Sequence, residues 1–197
     1  MNDAESDNDL AVQAVRGDRR AFAVLVRRHE AKLVQTARGF GLPESDVEDV
    51  VQEAFVAAWQ RLADYDPGRP FRPWLFRIAV NKMRDQRRHR RVRRFLFGAS
   101  GLDSAEAVAG DDPGPEREAL GRRQIARVQR VLDGLDRELR EALVLTALVG
   151  LSHSEAAAAL GTSVKGIEGR VLRARRKLAG ELEKDSGHAE GTGRPPP

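Results

Sequence analysis

The sequence predicts an all-α protein, two small helical domains joined by a flexible linker. Three observations carry that prediction. Ala, Leu and Val dominate the apolar residues, and aromatics are 5% of 197 residues, a set that favours helices over sheets. Apolar residues recur at helical spacing through residues 10–94 and again through 116–182. Between them, residues 98–115 are rich in Gly, Ala, Ser, Asp and Pro and have no periodicity, which reads as a linker over 96–115.

The elements follow in order. Residues 1–9 are acidic and read as a disordered N-terminus. Leu10, Val12 and Val15 start a short helix that breaks near Gly17. Asp18 caps the next helix, whose stripe is Phe22, Leu25, Val26, Leu33, Val34 and Ala37, closed by Gly39 and Gly41. A third helix shows an unbroken face: Val47, Val50, Val51, Ala54, Phe55, Ala58, Trp59 and Leu62. Its other face carries Glu48, Asp49, Gln52, Glu53 and Gln60. Pro67, Gly68 and Pro70 make 64–71 a loop, and Pro73 suits the first turn of a fourth helix with Trp74, Leu75, Ile78, Ala79 and Met83 inside. Both tryptophans lie on apolar stripes and read as core.

The second unit, 116–182, begins with helices supported by Leu120, Ile125, Val128 and Leu132, then by Leu139, Leu143, Leu145 and Leu148. Ser152 and Glu155 form a capping box for a short helix ending at Leu160, with Gly161 beyond it. Ser163 caps a final basic helix to about Leu182. Residues 183–197 read as a disordered tail.

Composition excludes several functions. With no cysteine there is no disulfide scaffold, thiolate metal site or Cys nucleophile. The four histidines lack ligand spacing, and no phosphate-binding glycine loop or nucleophile elbow is present. No cofactor and no metal are expected. No apolar run suits a membrane span and the acidic start does not resemble a leader, so no membrane insertion and a cytoplasmic location are expected.

The net charge of +4 conceals segregation. Residues 41–66 hold seven acids against Arg61. Residues 72–94 hold ten bases against Asp85. Residues 99–121 hold six acids against Arg117, and 165–177 hold six bases against Glu168. Two basic blocks on two helices point to two polyanion-binding surfaces. A short helix, Gly161, a tight turn and a long basic helix make a helix-turn-helix plan, whose second helix can enter a major groove. Ala156, Ala157, Ala159, Leu160, Val164, Ile167, Val171 and Leu178 would pack inward.

These strings resemble a known family. LDRELREALVL from Leu135, GLSHSEAAAALGTSV from Gly150 and RVLRARRKL from Arg170 look like region four of bacterial sigma factors. DVEDVVQEAFVAAW from Asp46 and FRPWLFRIAVN from Phe71 look like region two. This order, with a short linker, resembles the extracytoplasmic-function (ECF) group. The family pattern is not complete: Gly166 and Gly169 stand where Thr and Ser are usual, and the aliphatic–Pro–Pro start of the region-four helix pair is replaced by Leu135-Asp136-Arg137, where Asp136 can still cap.

The resemblance implies roles. Asp49, Gln52 and Glu53 would meet the β′ clamp of core RNA polymerase, and region four would sit at the β flap. Tyr65, Phe71, Arg77, Asn81, Arg84, Arg87 and Arg88 would read the −10 element of promoter DNA, with Asn81 on a base edge and the arginines on the backbone. Lys165, Glu168, Arg170, Arg173 and Arg176 would read the −35 element. An anti-sigma factor is implied as a further partner, and no enzymatic activity is expected, since the polymerase does the chemistry. Opposite charges on 72–94 and 99–121 suggest that the two units pack together in the free protein and weaken its promoter binding. The rival readings are a stand-alone helix-turn-helix regulator acting without core polymerase, and an RNA-binding protein resting on the Arg-rich run 87–94.

Overall fold

The structure is a computed structural model that describes residues 5–97 and 130–189. Every regular element in those residues is helical. Of the linker expected over 96–115, residues 96 and 97 continue a helix; its remainder, the helix expected from Leu120, Ile125 and Val128, and residues 190–197 of the expected tail lie outside the described residues.

Helix α1 spans Asp7–Val15. Residues 7–9 belong to a helix, against the expectation of disorder, and ties from Ser6, Asp7 and Asn8 explain it. Ser6 Oγ accepts from Asp9 N at 3.2 Å and caps the helix. Asp7 is bonded to both Arg28 (3.0 Å) and His29 (2.8 Å). Asn8 Oδ1 accepts from Phe71 N at 2.8 Å, capping another helix from 63 residues away. The contact with His29, helped by Arg28, holds the Asp7 carboxyl below its ordinary pKa.

Helix α2 (Arg19–Gly39) starts at Asp18, whose carboxylate accepts from Arg20 N and Ala21 N. It turns back at Gly41, whose φ of 76° suits glycine. Helix α3 (Glu44–Gln60) buries Val47, Val50, Val51, Ala54, Phe55 and Ala58, as its spacing predicts. Helix α4 (Phe71–Phe97) starts two residues before Pro73. Its buried side carries Phe71, Leu75, Phe76, Ile78, Ala79, Val80 and Met83. Trp59 departs from the core reading: it is 38% exposed and lies edge-on against Phe22 at 5.0 Å.

In the second unit residues 130–133 are helical. Helix α5 (Arg137–Leu143) runs into a π turn at Val144–Leu148. Asp136 does not cap α5 with its side chain; its carboxylate instead accepts from Lys177 at 2.7 Å. Helix α6 (His153–Leu160) has both halves of the Ser152/Glu155 capping box, and Gly161 closes it with a φ of 68°. Helix α7 (Val164–Ala189) continues past Leu182 through part of the expected tail. Ile167 and Val171 are buried as expected, but Val164, at the first helical position, is exposed.

The two units touch directly. Helix α4 packs on α6, and α2 packs on the π turn. Their buried apolar residues form one continuous cluster, from Leu10 through Met83 to Ala174. Acids of α5 and α6 meet α4 across this contact, whereas residues 99–121, whose charge led to the expected packing, lie outside the described residues.

Candidate functional site

Three surfaces collect the residues singled out in the sequence. The first is the outer stripe of α3. Asp49, Gln52, Glu53, Val56 and Gln60 fall at i, i+3, i+4, i+7 and i+11, and all are exposed. With Ala57 and Lys82 they line an open groove of about 540 Å³. Lys82 Nζ approaches Glu53 at 3.4 Å. Sequence reading missed Val56 because it is apolar; the signal was its place on the acidic stripe. A 49%-exposed valine among carboxylates forms a contact surface with an apolar centre and a charged rim.

The second surface is the outer side of α4. Arg77, Asn81, Arg84 and Arg88 follow one another at i, i+4, i+7 and i+11, so they share a stripe. Asn81 is exposed and its amide has no hydrogen bond among the described residues, so it caps no local backbone group. Arg77 is exposed. Arg88 pairs with Asp85 at 2.6 Å. Arg84 is half-buried and turned to Glu141. Arg87 is half-buried without an ion pair among the described residues, and burial and the nearby Arg140 lower its pKa. It joins Arg84, Arg88, Arg90, Arg91 and Arg137 along a basic cleft of about 360 Å³.

Tyr65 and Phe71 are not on this surface. They are 5% and 1% exposed, and their rings stack edge-on at 5.6 Å with Trp74 against both. Tyr65 Oη donates to Arg69 O at 2.7 Å, and burial raises the phenol's pKa. Expected as −10 contacts, the two side chains are instead buried here, where they shape the 64–71 loop from inside. A loop flanked by two aromatics folds over them when the chain leaves no other apolar cover.

The third surface is the outer face of α7. Lys165, Glu168, Arg173 and Arg176 are exposed. His153 Nδ1 lies 3.9 Å from Glu168, and Arg173 Nε donates to Gly169 O at 3.2 Å. Arg170 points elsewhere. Its guanidinium meets Glu138 of α5 at 2.8 Å and its side chain is 19% exposed, so it ties α7 to α5 rather than standing in the groove-facing row. Leu172, 51% exposed, completes a row with Lys165, Glu168 and Arg176; an apolar side chain there suits a thymine methyl.

The two glycines of α7 differ. A Cβ at Gly169 would meet nothing within 4 Å. At Gly166 it would stand 2.9 Å from Thr162 Oγ1 and 3.2 Å from Ser163 Oγ, the hydroxyl that caps the helix by accepting from Gly166 N. Gly169→Ala is therefore expected to stabilise the fold by about 0.5–1 kcal/mol, raising Tm by roughly 2–4 °C. Gly166→Ala is expected to gain less, because it crowds the cap. Thermal melting of both variants checks this, and a lower Tm for Gly169→Ala contradicts it.

Comparison with known proteins follows the same division. Residues 25–93 match sigma-70 region 2, and residues 125–178 match sigma-70 region 4. The chain belongs to the sigma-70 family of RNA polymerase sigma factors, in its ECF group. The RNA polymerase sigma factor CnrH of Cupriavidus metallidurans is 57% identical over 94% of this chain and 99% of its own. The ECF sigma-E factor of Escherichia coli K12 is 31% identical over 93% and 97% respectively. The structure of CnrH in complex with the cytosolic domain of CnrY superposes with a TM-score of 0.71 at 47% identity, covering 92% of this chain and 99% of that one. As a sigma factor the protein acts with core RNA polymerase to direct promoter-specific initiation, and the stand-alone regulator is set aside. Among the described residues, no helix is long and apolar enough to cross a membrane.

Proposed function

We propose a division of labour among the three surfaces. Asp49, Gln52, Glu53 and Val56 on α3 dock on the β′ clamp of core polymerase, and region four docks at the β flap. Asn81, with Arg77, Arg84, Arg87 and Arg88 beside it, captures and holds the unpaired −10 strand. Lys165, Glu168, Leu172, Arg173 and Arg176 read the −35 duplex, with Arg170 placing their helix. The polymerase performs the chemistry, so the sigma factor needs no catalytic group, metal or cofactor of its own. It works in the cytoplasm, where the template is.

The observation that carries this reading is Asn81, exposed and without a hydrogen-bond partner among the described residues, on the same stripe as three arginines. A base-edge donor flanked by phosphate-binding cations is what holding a single strand requires. An anti-sigma partner follows from the likeness to CnrH, whose solved structure contains the cytosolic domain of CnrY.

The test mixes the purified chain with core RNA polymerase and genomic DNA fragments and maps the transcript starts. Starts that depend on the chain, each preceded by shared −35 and −10 elements, are the expected outcome. Absence of such starts together with failure to co-elute with core enzyme rejects the assignment.

A further inference from the structure

We infer that Phe95, near the far end of α4, is a stacking platform for an unpaired promoter base, extending the single-strand contact of this helix beyond Arg88. The inference rests on the −10 reading above.

The first observation is exposure in an unusual setting. Phe95 is 88% exposed, more than any other large apolar residue among those described, and Val92, one turn before it, is 50% exposed. A lone apolar side chain on a surface needs no explanation. This one closes a run of opposite character: residues 87–94 carry six arginines and no acid. The positions one turn back from the ring, Arg91 and Val92, are themselves exposed. The fold therefore leaves an aromatic face in water at the end of a strongly cationic segment.

The second observation is register. An α-helix repeats every 3.6 residues, so 18 residues complete five whole turns. Phe95 follows Arg77 by 18 residues and stands on the same line along α4. Asn81, Arg84 and Arg88 lie between them on that line. The ring is thus the far member of the stripe that carries the proposed base-edge contact and its phosphate-binding cations. At ~1.5 Å per residue it lies about 21 Å beyond Asn81 and about 10 Å beyond Arg88. A strand held at Asn81 that follows the stripe passes Arg84 and Arg88 and then reaches the ring.

Chemistry selects the occupant. The surrounding cations favour a polyanion over a neutral or basic apolar surface. Single-stranded nucleic acid is the polyanion that also uses the ring, since its backbone meets arginine while its bases stack on aromatic faces. Stacking needs only a π face, so the platform tolerates any base. Asn81 discriminates among bases; Phe95 holds the neighbouring strand whatever its sequence.

The experiment uses holoenzyme, made from core RNA polymerase and the full chain, on a promoter fragment with an unpaired −10 segment. The fluorescent base 2-aminopurine is placed at successive positions along the non-template strand, in and beside that segment. Unstacked it is bright, and stacking on an aromatic ring dims it. At one position at the edge of the segment, the wild-type complex is expected to be dim. Phe95→Ala and Phe95→Leu are expected to be several-fold brighter there, and Phe95→Tyr dim again. Leucine keeps apolar bulk without a π face, so it separates stacking from plain burial. Phe95→Ala is also expected to weaken retention of the fragment about tenfold. Core binding and Tm are expected to hold, because the ring already stands in water in the free protein. An abasic site at the same position is expected to weaken the wild type by the same factor and Phe95→Ala no further. Val15→Ala, which truncates an exposed valine at the end of α1, is the control and is expected to change nothing.

Fluorescence that follows the aromatic ring at residue 95 at no position overturns the platform. So does a loss of core affinity in Phe95→Ala that accounts for the loss of promoter retention, because the ring then meets protein. Retention that falls in Asn81→Ala but not in Phe95→Ala rejects the platform and leaves the −10 reading standing. Retention unchanged in both rejects the −10 reading with it.

Discussion

Reversing two charges on α3, Asp49→Lys with Glu53→Lys, is expected to abolish co-elution with core RNA polymerase while leaving the fold and the free protein's binding to −35 duplex intact. Both carboxylates are exposed, and Glu53 approaches Lys82 at 3.4 Å on an open surface. An ion pair of that kind contributes less than about 1 kcal/mol, so folding loses little. Docking loses more. A carboxylate facing a basic partner surface becomes a cation facing cations, and two such sites amount to roughly 3 kcal/mol, or about 100-fold in Kd. Glu30→Lys, an exposed acid of α2 away from the stripe, is the control and is expected to leave core binding unchanged. Val56→Ala adds a salt-insensitive arm, since its contribution is apolar. Titration of labelled protein against core enzyme reads all three. Equal loss in the Glu30 control reduces the α3 effect to net charge and removes the case for a specific contact.

What the sequence made legible is what local physics decides. The apolar register of α3 predicts its buried face from Val47 to Ala58 and misses at Trp59, near the helix end. The Ser152–Glu155 box and Gly161 place both ends of α6, since capping is settled within a few residues. What was hidden depends on partners far along the chain. Asn8 caps α4 across 63 residues, and no spacing rule announces it. Arg170 reads as a DNA contact until Glu138 of another helix claims it. Tyr65 and Phe71 read as −10 contacts beside a loop, yet each finds the other and Trp74, and both are buried. The acids that meet α4, Glu141 and Glu155, belong to neither acidic block singled out in the sequence. Glu141 stands in a helix whose apolar neighbours promised core, and it is buried where Arg84 arrives from the other unit.

Asn81→Ala is expected to cut open-complex formation by tenfold or more while core binding and −35 binding stay at wild-type levels. The reasoning begins with what the side chain does not do. It is exposed and makes no hydrogen bond among the described residues, so truncation leaves no buried partner unsatisfied and Tm is expected to hold. The amide is then available for a base edge, where a well-placed pair of hydrogen bonds discriminates by about 1–3 kcal/mol. Extracting a base from the stack costs a few kcal/mol, so losing that pair moves the melting equilibrium by a similar fraction. The flanking Arg77, Arg84 and Arg88 still hold the backbone, which is why binding to core and to duplex survives. Asn81→Asp sharpens the test. It keeps the shape and removes the donor, so it is expected to fail like alanine if donation matters, and to retain activity if Asn81 only accepts. Permanganate reactivity of −10 thymines in the holoenzyme follows the opening directly. A template with the −10 segment already unpaired separates two causes: a defect that persists there places Asn81 in holding the strand, and one that disappears places it in the melting step. Unchanged permanganate reactivity in Asn81→Ala, or loss of core binding equal to the loss of opening, removes Asn81 from the promoter site.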